Sequence, residues 1–234
     1  MIEAILLDIE GTTTPIDFVH KMLFPYARER MFDFVQEHFG VLHNEIEQLH
    51  REYQQDLAHG NAPPHFDDKS PETVAAYLRF LIDTDRKSSP LKSIQGKIWQ
   101  SGYELGELKS VMFEDVPNAF DRWYEKGIII AIYSSGSVLA QKLIFKYSNY
   151  GDLTRYISNY FDTVVGHKRE TESYQKIAAT PGFPPVENFL FISDIVGELD
   201  AAKSAGFQTL LAVREGNALI ENNFHQEIYN FDEV

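Results

Sequence analysis

The stretch ILLDIEGTTT, residues 5–14, carries an apolar run into an acid, a second acid two positions on, then a glycine and three threonines. A short apolar run without polar alternation reads as a strand buried on both faces, as in a parallel sheet. Open parallel sheets bind ligands outside the carboxyl ends of their strands, so Asp8 and Glu10 stand where a reacting group would stand. Alone, the two acids read first as solvated strand-end residues. The rest of the chain has to decide.

Five such runs occur: Ala4–Leu7, Ile128–Tyr133, Phe161–Val165, Phe189–Ile192 and Thr209–Val213. Between the last four lie stretches of helical spacing, Val138–Tyr147, Glu172–Ala179 and Glu198–Ala205, the last closed by Gly206 as a C-cap. This alternation predicts a doubly wound α/β core with right-handed crossovers. Residues 16–110 contain no strand-like run. Phe18–Phe39, Glu45–Leu57 and Pro71–Ile82 have helical periodicity, and Asn61–Pro64 and Ser88–Pro90 read as breaks between helices. The expected organisation is therefore a core of residues 1–15 and 111–234, with residues 16–110 inserted as a helical domain after the first strand.

The net charge of -14 over 234 residues repels phosphate backbones and anionic lipid, which argues against nucleic acid and membrane as partners. An anionic small substrate would need a local positive site. The absence of cysteine excludes disulfides and thiolate metal sites. The apolar run at the N-terminus is short, lacks a basic flank and lies between Glu3 and Asp8, so it does not read as a signal peptide. No apolar stretch reaches bilayer length, and a cytoplasmic protein is expected.

The strand ends converge chemically. The first ends on Asp8, Glu10 and Thr12, the second on Ser134, Ser135 and Gly136, the third on His167 and Lys168, and the fourth on Ser193 and Asp194, with Glu198 a turn later. Several carboxylates in one place repel one another unless a cation is present. Oxygen donors without His or Cys suit Mg²⁺, with Asp8 and Asp194 as ligands and the Glu10 backbone carbonyl as a third. Lys168 and the Ser134 hydroxyl suit phosphate oxygens, and a carboxylate facing a bound phosphate can form an aspartyl-phosphate while a second acid handles protons. Ser134 is favoured over Ser135 as phosphate donor, and Lys168 over its neighbour Arg169. Glu198 either orients Lys168 or the metal shell, or simply complements a helix N-terminus. Arg214 reads as a loop hydrogen-bonder, and His43, His50, His59 and His65 as surface histidines, not a zinc site.

D-I-E-G-T at 8–12 resembles the first motif, D-x-D-x-T, of the haloacid dehalogenase superfamily of phosphohydrolases. Ser134 resembles the second motif, Lys168 the third and S-D-I-V-G-E at 193–198 the fourth. LLDIEGTTTPIDFV, LFPYARE, IYSSGS, GHKRETESY and ELDAAKSAGF are similar to the acireductone synthases, the enolase-phosphatase family of methionine salvage. The resemblance implies a Rossmann-like core with an inserted helical cap and one Mg²⁺ per chain. The implied substrate is 2,3-diketo-5-methylthiopentyl 1-phosphate, enolised and then dephosphorylated to the acireductone 1,2-dihydroxy-3-keto-5-methylthiopentene. It further implies Asp8, Glu10 and Asp194 at the metal, Ser134, Ser135 and Lys168 on the substrate, and Asp8, Glu10 and Lys168 in catalysis. A monomer is expected. Glu10 replaces the superfamily's usual aspartate, a departure the acireductone synthases share. The alternative within the superfamily is a Mg²⁺-dependent sugar-phosphate phosphatase or phosphomutase.

Overall fold

The computed structural model describes residues 1–218, 220 and 223–234. In chain order its regular elements begin with β1 (Ala4–Leu7), α1 (Ile16–Phe18) and a π-helical stretch Val19–Leu23. α2 (Phe24–His38), α3 (His43–Ala58), α4 (Pro71–Asp83) and α5 (Ser89–Glu104) follow. Then come α6 (Val116–Glu125), β2 (Ile129–Tyr133), α7 (Val138–Lys146), β3 (Ile157–Phe161), α8 (Thr171–Ala178), β4 (Phe189–Ser193), α9 (Val196–Ser204), β5 (Gln208–Ala212) and β6 (Gln226–Ile228). Two compact units result, Met1–Val19 with Leu108–Val234, and His20–Glu107.

The first unit is a parallel sheet of order β3-β2-β1-β4-β5-β6. β1 lies in the middle, with Leu7 opposite Ile132 of β2 on one side and Ile192 of β4 on the other. The chain runs outward from β1 to β3 and then returns to β4. The junction of β1 and β4 is therefore the topological switch point, where such sheets open a crevice. All four residues of β1 are buried, which is why the strand shows no polar alternation. Ala4 and Leu6 face the same side as Ala131, Tyr133, Phe189 and Phe191, and pack there with Tyr174 and Ile177 of α8 and Leu199 and Ala202 of α9.

The sheet differs from the sequence reading at both edges. The third strand is Ile157–Phe161, not Phe161–Val165. As an edge strand it is half exposed and includes Ser158 and Asn159, so it shows no apolar run. The run that follows is a turn, in which the Asp162 carboxylate accepts the Val164 N–H at 2.9 Å. β6 is three residues long and mostly polar, and the sequence reading missed it.

The second unit is helical. Pro25 supplies no N–H to the turn before it, and the backbone there widens into the π-helical stretch. Trp99 Nε1 donates to the Leu23 carbonyl at 2.8 Å, tying α5 to that irregular turn. Ser88–Pro90 closes the break between α4 and α5 and starts the second of them. The Ser88 hydroxyl accepts the Leu91 N–H at 3.3 Å, and Pro90 sits in the first turn, where a missing N–H costs nothing. Asp56 of α3 is fully buried and is held by Tyr77 Oη at 2.8 Å, Asn61 Nδ2 at 2.9 Å and Arg86 at 2.7 Å.

Candidate active site

Asp8 is the first residue beyond β1, and its Oδ1 accepts the Ile9 N–H at 2.7 Å. The chain then doubles back. The Ile9 carbonyl takes the N–H groups of Thr12, Thr13 and Thr14 at 3.2, 2.9 and 2.9 Å, and the Thr13 hydroxyl at 3.2 Å. The hydroxyl-rich text is thus a self-bonded turn that holds the strand end in place. Gly11 within it has φ +68°, and a β-carbon there would strike the Asp194 carboxylate. Two residues from the loop after β5 pin the turn. Arg214 Nε donates to the Thr12 carbonyl at 3.2 Å, and Asn217 Nδ2 donates to the Gly11 carbonyl at 2.9 Å.

Lys168 enters from the loop before α8. Its carbonyl accepts the Tyr174 hydroxyl at 2.7 Å, and its buried Nζ lies 2.7 Å from Asp8 Oδ1 and 2.5 Å from Glu198 Oε2. Ser193, the last residue of β4, stands between the same two acids, with Oγ 3.3 Å from Asp8 Oδ2 and 3.0 Å from Glu198 Oε2. Its oxygen also accepts the Ile195 N–H at 3.2 Å, which fixes the turn carrying Asp194. Ser134 is buried at the end of β2, the neighbour of β1. Its oxygen accepts the Gly136 N–H at 3.1 Å, which leaves the hydroxyl proton to donate elsewhere. Ser135 is half-buried beside it, and Glu10 is half-buried in the turn after β1, bridged to Thr14.

The structure therefore brings Asp8, Lys168 and Glu198 into direct contact and sets Asp194 against the Gly11 turn. Arg169 is exposed, so Lys168 is the cation of the cluster. Glu198 pairs with Lys168, and of its possible tasks the orienting one is the geometry found. Sequence reasoning passed over Ser193 as a bridge, and Asn217 altogether. It read Arg214 as a loop hydrogen-bonder, which the bonds to the Thr12 and Tyr229 carbonyls bear out, and missed that Arg214 is buried, pairs with Asp115 at 2.8 Å and lies between the rings of Phe113 and Phe231. An arginine just past a strand in V-R-E-G-N was the available signal.

Electrostatics follow from the count. Asp8, Asp194 and Glu198 face one ammonium, so the cluster is short of positive charge. Burial and then the Asp8 charge push Asp194 up to about 7, and the same two causes, in that order, push Glu198 up. Burial alone would push Lys168 down, but Asp8 and Glu198 outweigh it and keep the ammonium charged. A hard divalent cation would relieve this imbalance. The donors are all oxygens, and the missing β-carbon of Gly11 lets the Asp194 carboxylate close on the turn after β1. Among the described residues no three His, Cys, Asp or Glu side chains form a metal cluster. Mg²⁺ does not need three, since it keeps waters and uses one or two carboxylates. The residues present fit it.

The family model of the haloacid dehalogenase-like hydrolases matches residues 2–206. An enolase-phosphatase E1 of Synechococcus elongatus is 51% identical over 100% of this chain and 98% of its own length. The chain belongs to the haloacid dehalogenase-like hydrolases, among the enolase-phosphatases. A relative in Arabidopsis thaliana, named as a probable bifunctional methylthioribulose-1-phosphate dehydratase/enolase-phosphatase E1, is 42% identical over 98% of this chain and 47% of its own length. The crystal structure of the UTR4 protein from Saccharomyces cerevisiae has a TM-score of 0.82 at 35% identity, covering 100% of both chains.

Proposed function

We propose that this protein converts 2,3-diketo-5-methylthiopentyl 1-phosphate to its acireductone and inorganic phosphate, with Mg²⁺ bound. The observation that carries the phosphatase half is the buried Lys168 ammonium held between Asp8 at 2.7 Å and Glu198 at 2.5 Å at the strand ends. This pairing fixes Asp8 in orientation and leaves a cationic group facing the place where phosphate oxygens would lie. Asp8 attacks phosphorus, and the bond from phosphorus to the C1 oxygen breaks as that oxygen takes up a proton. Water then cleaves the aspartyl-phosphate and restores Asp8. Lys168 and the Ser134 hydroxyl bind phosphate oxygens throughout. Mg²⁺ held by Asp8, Asp194 and the Glu10 carbonyl supplies charge neutralisation at the phosphoryl group and polarisation of the substrate carbonyl.

The product carries its double bond between C1 and C2, so the enolisation removes a proton from C1. Glu10, one methylene longer than the usual aspartate, is assigned as that base. The Arabidopsis relative supports the substrate: loss of water from a methylthioribulose 1-phosphate yields this diketone phosphate. The same reading puts the reaction in the cytoplasm, with the monomer as the working unit. No helix among the described residues is long and apolar enough to cross a membrane.

The test is to follow enol absorbance and phosphate release together on the diketone phosphate, with and without Mg²⁺, beside a panel of sugar phosphates. Asp8→Asn should still form enol and release no phosphate, while Glu10→Gln should be slow to form enol. Phosphate release by Asp8→Asn at the wild-type rate, or preference for a sugar phosphate, would overturn the assignment.

A further inference from the structure

Asn217 lies in the loop after β5, and its amide is fixed from both ends. Nδ2 donates to the Gly11 carbonyl at 2.9 Å and to the Ala212 carbonyl at 3.2 Å. Two backbone acceptors on one nitrogen settle which end of the amide is oxygen. Oδ1 is then turned away from them. It is buried and has no hydrogen-bond partner among the described residues. Buried amide oxygens of this kind are uncommon and need a reason.

The place it faces supplies one. A β-carbon at Gly11 would meet the Asp194 carboxylate and lie 2.9 Å from Asn217 Oδ1, so the glycine lets both oxygens approach the same side of the turn. Two acceptors gathered on one side of a turn are bridged by a donor with two protons to spend. The Lys168 ammonium is already placed between Asp8 and Glu198. A water on the cation beside Asp194 has two protons and is made a stronger donor by the metal.

We propose that Asn217 Oδ1 accepts a hydrogen bond from a water bound to the Mg²⁺ at Asp194. This makes Asn217 a positioning residue for the metal's water shell, and it rests on the metal reading of the site given above. The amide would thus serve two groups at once. Its nitrogen holds the Gly11 turn, and its oxygen orients the shell of the ion that this turn cradles. Partners of this type are what keep metal ligands and waters in register.

The test is Mg²⁺ titration by calorimetry in the absence of substrate, with melting curves taken without metal to report the fold. Asn217→Ala should bind Mg²⁺ about tenfold more weakly. Asn217→Asp keeps an acceptor oxygen and loses both N–H donors. It should melt lower yet bind Mg²⁺ to within about threefold of the wild type. If Asn217→Ala does not fold, Asn217→Ser takes its place in the same comparison. Unchanged affinity in the truncated variant would overturn the proposal. So would equal weakening in Asn217→Ala and Asn217→Asp, because Asn217 would then be only a clamp on the Gly11 turn. Absence of Mg²⁺ binding by the wild-type protein, with Asp194→Asn as reference, would instead overturn the metal reading itself.

Discussion

Gly11 shows how far a single backbone position controls the site. Its φ of +68° is comfortable for glycine and costs an L-residue about 1–2 kcal/mol, which in a chain of this length is a melting shift of a few degrees. The larger penalty is spatial, because a methyl group there meets the Asp194 carboxylate and Asn217 Oδ1 together. Asp194 follows β4 directly and is held by the Ser193 turn, so it has little room to retreat. Gly11→Ala should therefore lose far more activity than stability. We expect a fall in phosphate release of about 100-fold or more, the usual cost of displacing a reacting geometry by about 1 Å. Steady-state kinetics beside a melting curve check this, and a variant that melts a few degrees lower with full activity would contradict it.

Among the elements, the inner strands of the sheet were legible in the sequence and the two edge strands were not. β1, β2 and β4 announce themselves because both faces are covered and nearly every residue is apolar, and β5 does so through its apolar end Leu210–Ala212 although its start is exposed. β3 and β6 lie at the sheet edges, where Ser158, Asn159 and Gln226 are tolerated, and the apolar signal vanishes. The boundary before α5 was legible because serine and proline mark a break and a helix N-terminus alike. In the site, Asp8, Ser134 and Asp194 were legible as candidates because each directly follows a strand, and Lys168 was legible through an apolar run that proves to be a turn beyond β3. Ser193 as a bridge, the Arg214–Asp115 pair and the Asn217 clamp were not, since the partners that define them are about 100 to 200 positions away in sequence. The same limit hid the Asp56 network that joins α3 to α4. Burial alone would raise the Asp56 carboxyl, but hydrogen bonds from Tyr77, Asn61 and Arg86 outweigh it and hold it below the usual range. A depressed folded-state pKa contributes stability above the unfolded value, and that stability is lost as pH falls through the folded one. Asp56→Asn should thus lower stability at pH 7 by about 1–3 kcal/mol, discounted because Arg86 is partly exposed. It should also flatten the acid limb of the unfolding profile below about pH 4, the range where an ordinary aspartate titrates. Melting temperature against pH for both proteins measures it.

At the scale of the whole molecule, the charge of the protein opposes the charge of its proposed substrate. The net charge of -14 surrounds a site built to take a phosphate ester. A like-charged field lowers the local concentration of an approaching anion, and it does so most at low ionic strength, where the Debye length is about 30 Å at 0.01 M. At 0.15 M it is about 8 Å, so an approaching phosphate feels only the charges close around it. Those include Lys168 and, when bound, Mg²⁺, which the same acidic surface attracts. Raising salt should therefore increase kcat/KM for the phosphate ester by severalfold between these conditions while leaving kcat nearly constant. Mg²⁺ must be held saturating, because its own binding weakens as the field is screened. The opposite trend, kcat/KM falling steadily from the lowest salt, would mean that the positive charge gathered at the strand ends governs the approach and that the acidic surface is too distant to matter. Initial rates at fixed Mg²⁺ occupancy across an ionic-strength series, with a neutral salt, separate the two.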